Sequence, residues 1–130
     1  MTIARRPDGL PLAASAFEAA VVDFLVDLFE AYPVWGTATG YHRVDGRWTD
    51  LSDGGRRARL AMLAVHVERL QAFADADLTA DELVDRQILL GEIEKVIFSE
   101  EVLRAEAWDP LELVYLMGAG LFDLLSREFA

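Results

Sequence analysis

The sequence predicts an all-α fold of about four helices in a bundle-like array. Apolar residues recur at steps of three and four positions in separate segments, which is the period of a helix with one buried face. Three segments begin with a start signal, at Ser15, Thr79 and Asp109, whose side chains can accept hydrogen bonds from first-turn amides. Hydrophobic residues make up 53% of the 130 residues, which is enough for one domain with its own core.

The first helix follows an irregular start of the chain. Residues 1–13 contain prolines and a glycine and are expected to form a lead-in, whereas residues 14–130 form a single helical domain. Ser15 and Glu18 make a capping box, and Pro33 ends the helix because it disfavours helical angles at the residue before it. The apolar face of this helix consists of Phe17, Val21, Phe24, Leu25 and Leu28.

A long aromatic loop, residues 33–51, is predicted between the first and second helices. It exceeds the roughly 2–8 residues that usually join two helices, and longer connections often carry function. One interpretation places four of its side chains at the wall of a substrate cleft: Tyr41, His42, Asp45 and Arg47. The other is a self-packed loop in which Trp35 and Trp48 fill the centre while Asp45 and His42 bond the backbone. The sequence favours this structural role.

The second and third helices are separated by a short break. Ser52 or Asp53 can cap the second helix, and residues 75–77 interrupt its pattern. Thr79 and Glu82 form another capping box, which opens a third and longer helix. The predicted buried stripes are Leu60, Leu63, Val67, Leu70 and Phe73 on the second helix, and Leu89, Ile93, Val96, Ile97 and Leu103 on the third.

The fourth helix is apolar on most sides. Asp109 is a favourable N-cap and Pro110 suits the first helical position. Residues 111–129 then carry apolar side chains all round, and such a helix is normally buried all round. Because three other helices do not easily surround a fourth, we expect this chain to be part of a larger helical fold. A missing C-terminal portion of the same protein, or a homo-oligomer partner, would cover residues 111–129.

Composition excludes several classes of function. The chain has 23 acidic and 12 basic residues, a formal charge of −11, and such a surface repels nucleic acid. It has no cysteine, so it has neither disulfides nor thiolate metal ligands. The longest uncharged apolar run, residues 113–122, is far shorter than the roughly 20 residues of a membrane span. No signal peptide is recognisable, so we expect a cytoplasmic protein without a membrane partner.

The usual catalytic and metal-binding motifs are not encoded. A thermolysin-like zinc helix needs two histidines four positions apart, but Leu70 follows His66 at that spacing. Neither His66 nor His42 has a glutamate three positions before it, as di-iron bundles require. A nucleophile elbow is also missing. We therefore expect no catalytic residue, no metal ligand and no cofactor in this chain, and we place His66 at the boundary of the helix packing.

One family resemblance begins in the aromatic loop. Residues 38–52, ATGYHRVDGRWTDLS, resemble the N-terminal region of a bacterial helical family known as domain of unknown function eight-eight-five. Three later stretches agree in order and spacing, so the resemblance extends from about residue 16 onward. They are the arginine-containing helix after Ser52, Asp85 with Leu89 and Leu90, and Trp108-Asp109-Pro110 leading to Tyr115 and Arg127.

The resemblance implies a place in a larger enzyme. Full-length members resemble gluzincin-type zinc metallopeptidases, in which zinc lowers the pKa of a bound water and a glutamate acts as general base. Their zinc-binding helix lies in the C-terminal half, which this chain lacks, so zinc and hydrolase activity are expected only in full-length members. The expected function is an N-terminal helical segment, inactive alone, that lines or covers one side of the substrate channel. The alternatives are a free-standing oligomerising interaction module and a small-ligand-binding bundle that uses the aromatic loop.

Overall fold

All regular elements in the described part of the chain are helical, as the sequence predicts. The computed structural model describes residue 6 and residues 9–126. A π-helical turn, Ser99–Leu103, and two 3-10 turns, His42–Val44 and Asp75–Asp77, join the α-helices. The α-helices are α1 (Ala16–Ala31), α2 (Pro33–Thr39), α3 (Asp53–Gln71), α4 (Ala80–Phe98), α5 (Ala105–Trp108) and α6 (Pro110–Ser126).

The predicted start signals are confirmed by hydrogen bonds. Ser15 and Thr79 each accept a bond from the amide three residues later, at the starts of α1 and α4. Ser52, rather than Asp53, is the N-cap of α3, because its hydroxyl oxygen accepts from the Gly55 amide at 3.0 Å. A carboxylate oxygen of Asp109 accepts from the amide two residues later, at 2.9 Å, where α6 begins.

The connection after α1 is more regular than predicted. The prediction of a loop throughout residues 33–51 is wrong for its first part, since Pro33–Thr39 form α2. Pro33 ends α1 and occupies the first turn of α2, where its missing amide hydrogen costs nothing. Gly40 then closes α2 in the left-handed conformation, with φ of 91°. The chain from residue 40 to 52 stays irregular apart from its 3-10 turn.

The predicted third helix also ends differently. Leu103 was expected on the apolar side of this helix. Instead α4 ends at Phe98, and Leu103 lies in the π-helical turn that follows. Arg104 follows with φ of 44°, a left-handed backbone conformation that residues other than glycine rarely adopt. The chain direction therefore changes between α4 and α5. The predictions for residues 1–5, 7–8 and 127–129 lie outside the described residues, and residues 9–13 are not helical.

Two hydrophobic clusters form the core, and α1 contributes to both. The larger one joins α1, α3 and α4 and contains Phe17, Phe24, Leu63, Leu70 and Ile93. The smaller one joins α1 to the connection and contains Leu10, Val22, Phe29, Tyr41 and Val44. The buried members of the predicted stripes, such as Leu63 and Ile93, are thus confirmed as core residues. Because α1 lies between the clusters, it is the central element of the fold.

Helix α6 lies outside both clusters. Its close approach to the body is at Gly120, where an added β-carbon would be 3.0 Å from the ring of Trp48 and 3.5 Å from Val34. Gly120 is the one buried residue among the described residues of α6. Most of its large apolar side chains remain exposed: Leu111, Leu113, Val114, Tyr115, Met117, Leu121, Phe122 and Leu125.

We predict that Gly36→Ala destabilises the fold, because α1 and α2 meet at this residue. An added β-carbon would lie 2.6 Å from a methyl of Val44, which is fully buried, and 3.1 Å from the β-carbon of Phe29. Overpacking of this kind costs about 1–3 kcal/mol of unfolding free energy. The control is Gly91→Ala in α4, where an added β-carbon meets no atom within 4 Å. This substitution should raise the free energy of unfolding by about 0.5–1 kcal/mol. Urea denaturation of both variants measures the difference, and equal effects would contradict the prediction.

Candidate functional site

The four predicted cleft residues do not share one cavity, although Asp45 and Arg47 both line a small one of about 20 Å³ beside α6. Tyr41 is 3% exposed, and its ring centroid lies 5.3 Å from that of Phe29 in the smaller core cluster. Its hydroxyl is buried and lacks a hydrogen-bond partner among the described residues. The structure therefore places Tyr41 in the core rather than at a cleft wall.

The other three candidates tie the connection to its neighbours. His42 Nδ1 lies 2.9 Å from Asp45 Oδ2, and the Thr37 hydroxyl of α2 donates to Asp45 Oδ1 at 2.8 Å. Arg47 forms an ion pair with Glu30 near the end of α1 and also donates to the Glu30 carbonyl. These contacts hold the irregular segment against α1 and α2.

The structural interpretation expected the two tryptophans to fill the centre of this connection, but neither does. Trp35 is 45% exposed and stacks on Tyr32, with ring centroids 4.6 Å apart and planes inclined by 14°. Trp48 is 50% exposed and lies against Gly120 of α6. Both rings are therefore surface aromatics, and Trp35 borders the cavity described next.

A cavity of about 520 Å³ lies where the end of α1, the start of α3 and the end of α4 meet α5 and α6. Its inner wall is a network of three side chains, of which Tyr32 and Arg59 are buried and Glu100 is partly buried. Arg59 of α3 donates two bonds to the Glu100 carboxylate, from Nε at 2.7 Å and from Nη2 at 2.9 Å. The hydroxyl of Tyr32 donates to the same carboxylate at 2.7 Å. The side chains of Arg59 and Glu100 are 7% and 13% exposed.

The network fixes the charges of its members near neutral pH. Burial by itself raises the pKa of Glu100, but the hydrogen bonds from Arg59 and Tyr32 and the charge of Arg59 outweigh it, so the pKa is lowered. Burial raises the pKa of the Tyr32 phenol well above its usual range, and the bond to Glu100 adds to this shift. The inner wall therefore consists of a neutral phenol, a carboxylate, and a guanidinium whose Nε and Nη2 already donate to that carboxylate.

Two further guanidinium groups lie at the same cavity, those of Arg56 and Arg104. Arg56 Nε is buried and has no hydrogen-bond partner within the described chain, and it is 3.9 Å from Asp53 Oδ1. Arg104 Nη2 approaches the same oxygen to 3.8 Å. The Asp53 side chain is 73% exposed, so solvent screens both ion pairs. The apolar lining of the cavity consists of Trp35, Leu51, Val96, Leu113 and Leu116.

Unusual backbone geometry forms the end of this cavity. Glu100 lies in the π-helical turn Ser99–Leu103, and Arg104 is the one non-glycine residue with positive φ among those described. Such features cost free energy and cluster at functional sites. The turn directs Glu100 toward α3, so the ion pair with Arg59 depends on this departure from the α-helix.

The sequence alone does not point to this site, because basic residues at 56, 57 and 59, at the start of a helix, are typical of a solvated first turn. One signal was nevertheless present. Arg59 and His66 share the spacing of Leu63 and Leu70, which puts two polar residues on the buried face of α3. Both are buried, with 6% and 3% exposure.

The sequence analysis placed His66 at the boundary of the helix packing, but the structure places it in the core. Its Nε2 is 2.8 Å from Asp27 Oδ2, and its ring centroid is 5.3 Å from that of Phe24. No group of three or more residues that could hold a metal ion occurs in the part of the chain that the structure describes. Within residues 9–126, no helix is both long and apolar enough to cross a membrane.

Comparisons with known proteins give no relative for this chain. No protein-family model matches it, and no curated protein or solved structure does so either.

We predict that Glu100→Ala strongly destabilises the protein, because it leaves Arg59 buried without its counter-charge. Removing one partner of a buried pair typically costs about 3–5 kcal/mol of unfolding free energy. Glu101→Ala is the matched control, since Glu101 is exposed in the same turn and should change stability by less than about 0.5 kcal/mol. Chemical denaturation measures both variants, and similar losses in the two would exclude a special role for the network.

The same network predicts a pH dependence. Because folding lowers the pKa of Glu100, its stabilising contribution is present above the unfolded value of about 4.3 and is lost as pH falls through the folded value. The stability gap between wild type and Glu100→Gln should therefore be widest near neutral pH and should narrow below about pH 4. Denaturation curves across this range test it, with Glu101→Gln as control. A gap that widens in acid would reverse the assigned sign.

Proposed function

We propose that this chain is the N-terminal helical segment of a larger bacterial, cytoplasmic, zinc-metallopeptidase-like protein, in which further protein covers α6. The observation that carries the proposal is the exposure of that helix: Val114 is 61%, Phe122 68% and Leu125 76% exposed. Burying one such side chain contributes about 1.5–3 kcal/mol, and monomeric proteins rarely expose large contiguous apolar patches. An uncovered α6 would therefore leave much favourable burial unused.

Further exposed apolar residues lie on α4 and α5. Val84, Ile88, Phe98 and Val102 are each more than half exposed, and their spacing puts them on one side of α4 and its π-helical turn. Trp108, at the end of α5, is 68% exposed. An exposed apolar stripe on a second helix supports a partner that packs against more than α6 alone.

The peptidase part of the proposal is supported by the resemblance in residues 38–52 and in the later stretches. It assigns zinc and the general base to a helix outside these 130 residues. The chain itself would shape one side of a substrate channel and would have no hydrolytic activity alone. Stoichiometric zinc in the purified chain, or zinc-dependent cleavage of a peptide substrate, would overturn this proposal.

A second candidate is a free-standing oligomerising module, in which a second copy covers α6. It is favoured by the scarcity of charge on this helix, because Glu112 and Asp123 are its two ionisable acidic residues and it has no basic ones between 110 and 126. Two such helices would repel each other weakly. The coding sequence after Ala130 separates the candidates, since an in-frame zinc-binding helix supports the first and a stop codon with a discrete dimer supports the second.

We predict that lysines on the outer side of α6 abolish self-association of the purified chain. Wild type should bind a hydrophobic dye and form oligomers, whereas Val114→Lys/Phe122→Lys should be monomeric with unchanged helical content. The control is Ala61→Lys/Ala64→Lys, which adds the same charge at exposed positions of α3. Light scattering and dye fluorescence measure these properties. A monomeric wild type that binds no dye would show that α6 needs no cover.

A further inference from the structure

We propose that the 520 Å³ cavity binds a small carboxylic acid with an apolar body, held by Arg56 and Arg104. This inference goes beyond the covering of α6 and does not rest on it. The volume lies within the roughly 300–1,000 Å³ of typical small-molecule sites. The cavity combines an apolar lining with a few convergent polar groups, which is the usual composition of such sites.

The unused hydrogen-bond donors point to an anion. Buried polar groups are nearly always hydrogen-bonded, yet Arg56 Nε is buried without a partner in the described chain. Arg104 Nη2 contacts Asp53 at 3.8 Å, which is an ion pair but too long for a hydrogen bond. Both guanidinium groups lie within 4 Å of one oxygen, Asp53 Oδ1, so one carboxylate can interact with both. A bound carboxylate would supply the missing short bonds.

Arg59 is not available for this role. Its Nε and Nη2 are bonded to Glu100, and its Nη1 donates to the carbonyl oxygen of Asp50. It also lies 5.4 Å from the ring centroid of Tyr32. All three nitrogens of Arg59 are thus engaged within the chain, whereas Arg56 and Arg104, which also line the cavity, are less constrained.

The remaining wall selects the body of the ligand. Trp35 offers a half-exposed ring whose one side stacks on Tyr32, and Leu51, Leu113 and Leu116 add aliphatic surface. An aromatic or branched aliphatic group would bury this surface at about 25 cal/mol per Å². The ligand therefore needs an apolar body as well as an acidic group.

The charge balance favours a carboxylate over a phosphate. Besides its basic residues, the cavity is lined by five carboxylates, those of Asp53, Glu92, Glu100, Glu106 and Glu112. With a formal charge of −11 on the whole chain, a dianion would meet stronger repulsion than a monoanion. A planar monoanionic carboxylate also matches the fork of a guanidinium group.

The test titrates the full chain with phenylacetate, its neutral analogue phenylacetamide, and inorganic phosphate, and follows Tm and tryptophan fluorescence. Phenylacetate should raise Tm saturably and change the fluorescence. Phenylacetamide should bind at least about tenfold more weakly, since it lacks the charge-assisted bonds. Phosphate should not compete. In Trp35→Phe the fluorescence change should disappear while the Tm shift remains.

Matched arginine variants locate the site. Arg56→Gln and Arg104→Gln should each weaken phenylacetate binding by about tenfold, whereas Arg57→Gln, an exposed neighbour that does not line the cavity, should bind like wild type. Circular dichroism verifies folding of each variant, and Arg104→Gln breaks only screened ion pairs. Equal binding of acid and amide, equal losses at Arg56 and Arg57, or no saturable binding up to about 10 mM would each overturn the proposal.

Discussion

The buried contact of Arg59 with Glu100 determines how the second half of the chain is placed. It joins the start of α3 to the π-helical turn after α4, and the bond from Tyr32 links both to the end of α1. A buried ion pair adds little net stability to a fold, because removing both charges from water is costly. A guanidinium group that donates two bonds to one carboxylate nevertheless permits few orientations of that carboxylate. The pair therefore fixes the direction in which the chain leaves α4. The positions of α5 and α6 follow from that direction.

This placement explains why α6 has so little cover. Both core clusters are built around α1, and neither includes a residue of α6. The helix reaches the body where Gly120 allows it to approach Trp48 and Val34. A larger residue at 120 would move the helix away, yet the small one buries little area. The surplus of apolar side chains on α6 is thus a consequence of the fold within the described chain.

Local chemistry made much of the fold predictable from the sequence, and tertiary contacts account for the rest. The starts of α1, α3, α4 and α6 follow from side chains that bond adjacent amides, so a single sequence reveals them. The end of α4 depends on Glu100 meeting a residue 41 positions earlier, which no local pattern encodes. The α2 helix was missed because Pro33 both stops one helix and starts the next. The aromatic connection supplied the cleft candidates of the sequence analysis, but its aromatic side chains divide between the core, at Tyr41, and the cavity, at Trp35.

The cavity and the exposed surface meet on a single helix, and this links the two proposals. Leu113, Leu116, Gly120 and Leu124 lie on the inner side of α6, as the helical period requires of residues spaced by three and four. Val114 and Phe122 lie on the outer side. A ligand that contacts the inner side and a partner that packs against the outer side would both favour this position of α6, so binding of one would favour binding of the other. By linkage, the partner would then raise the affinity for the ligand by the same factor. Docking and binding on this helix are therefore expected to reinforce each other, even though they involve different residues.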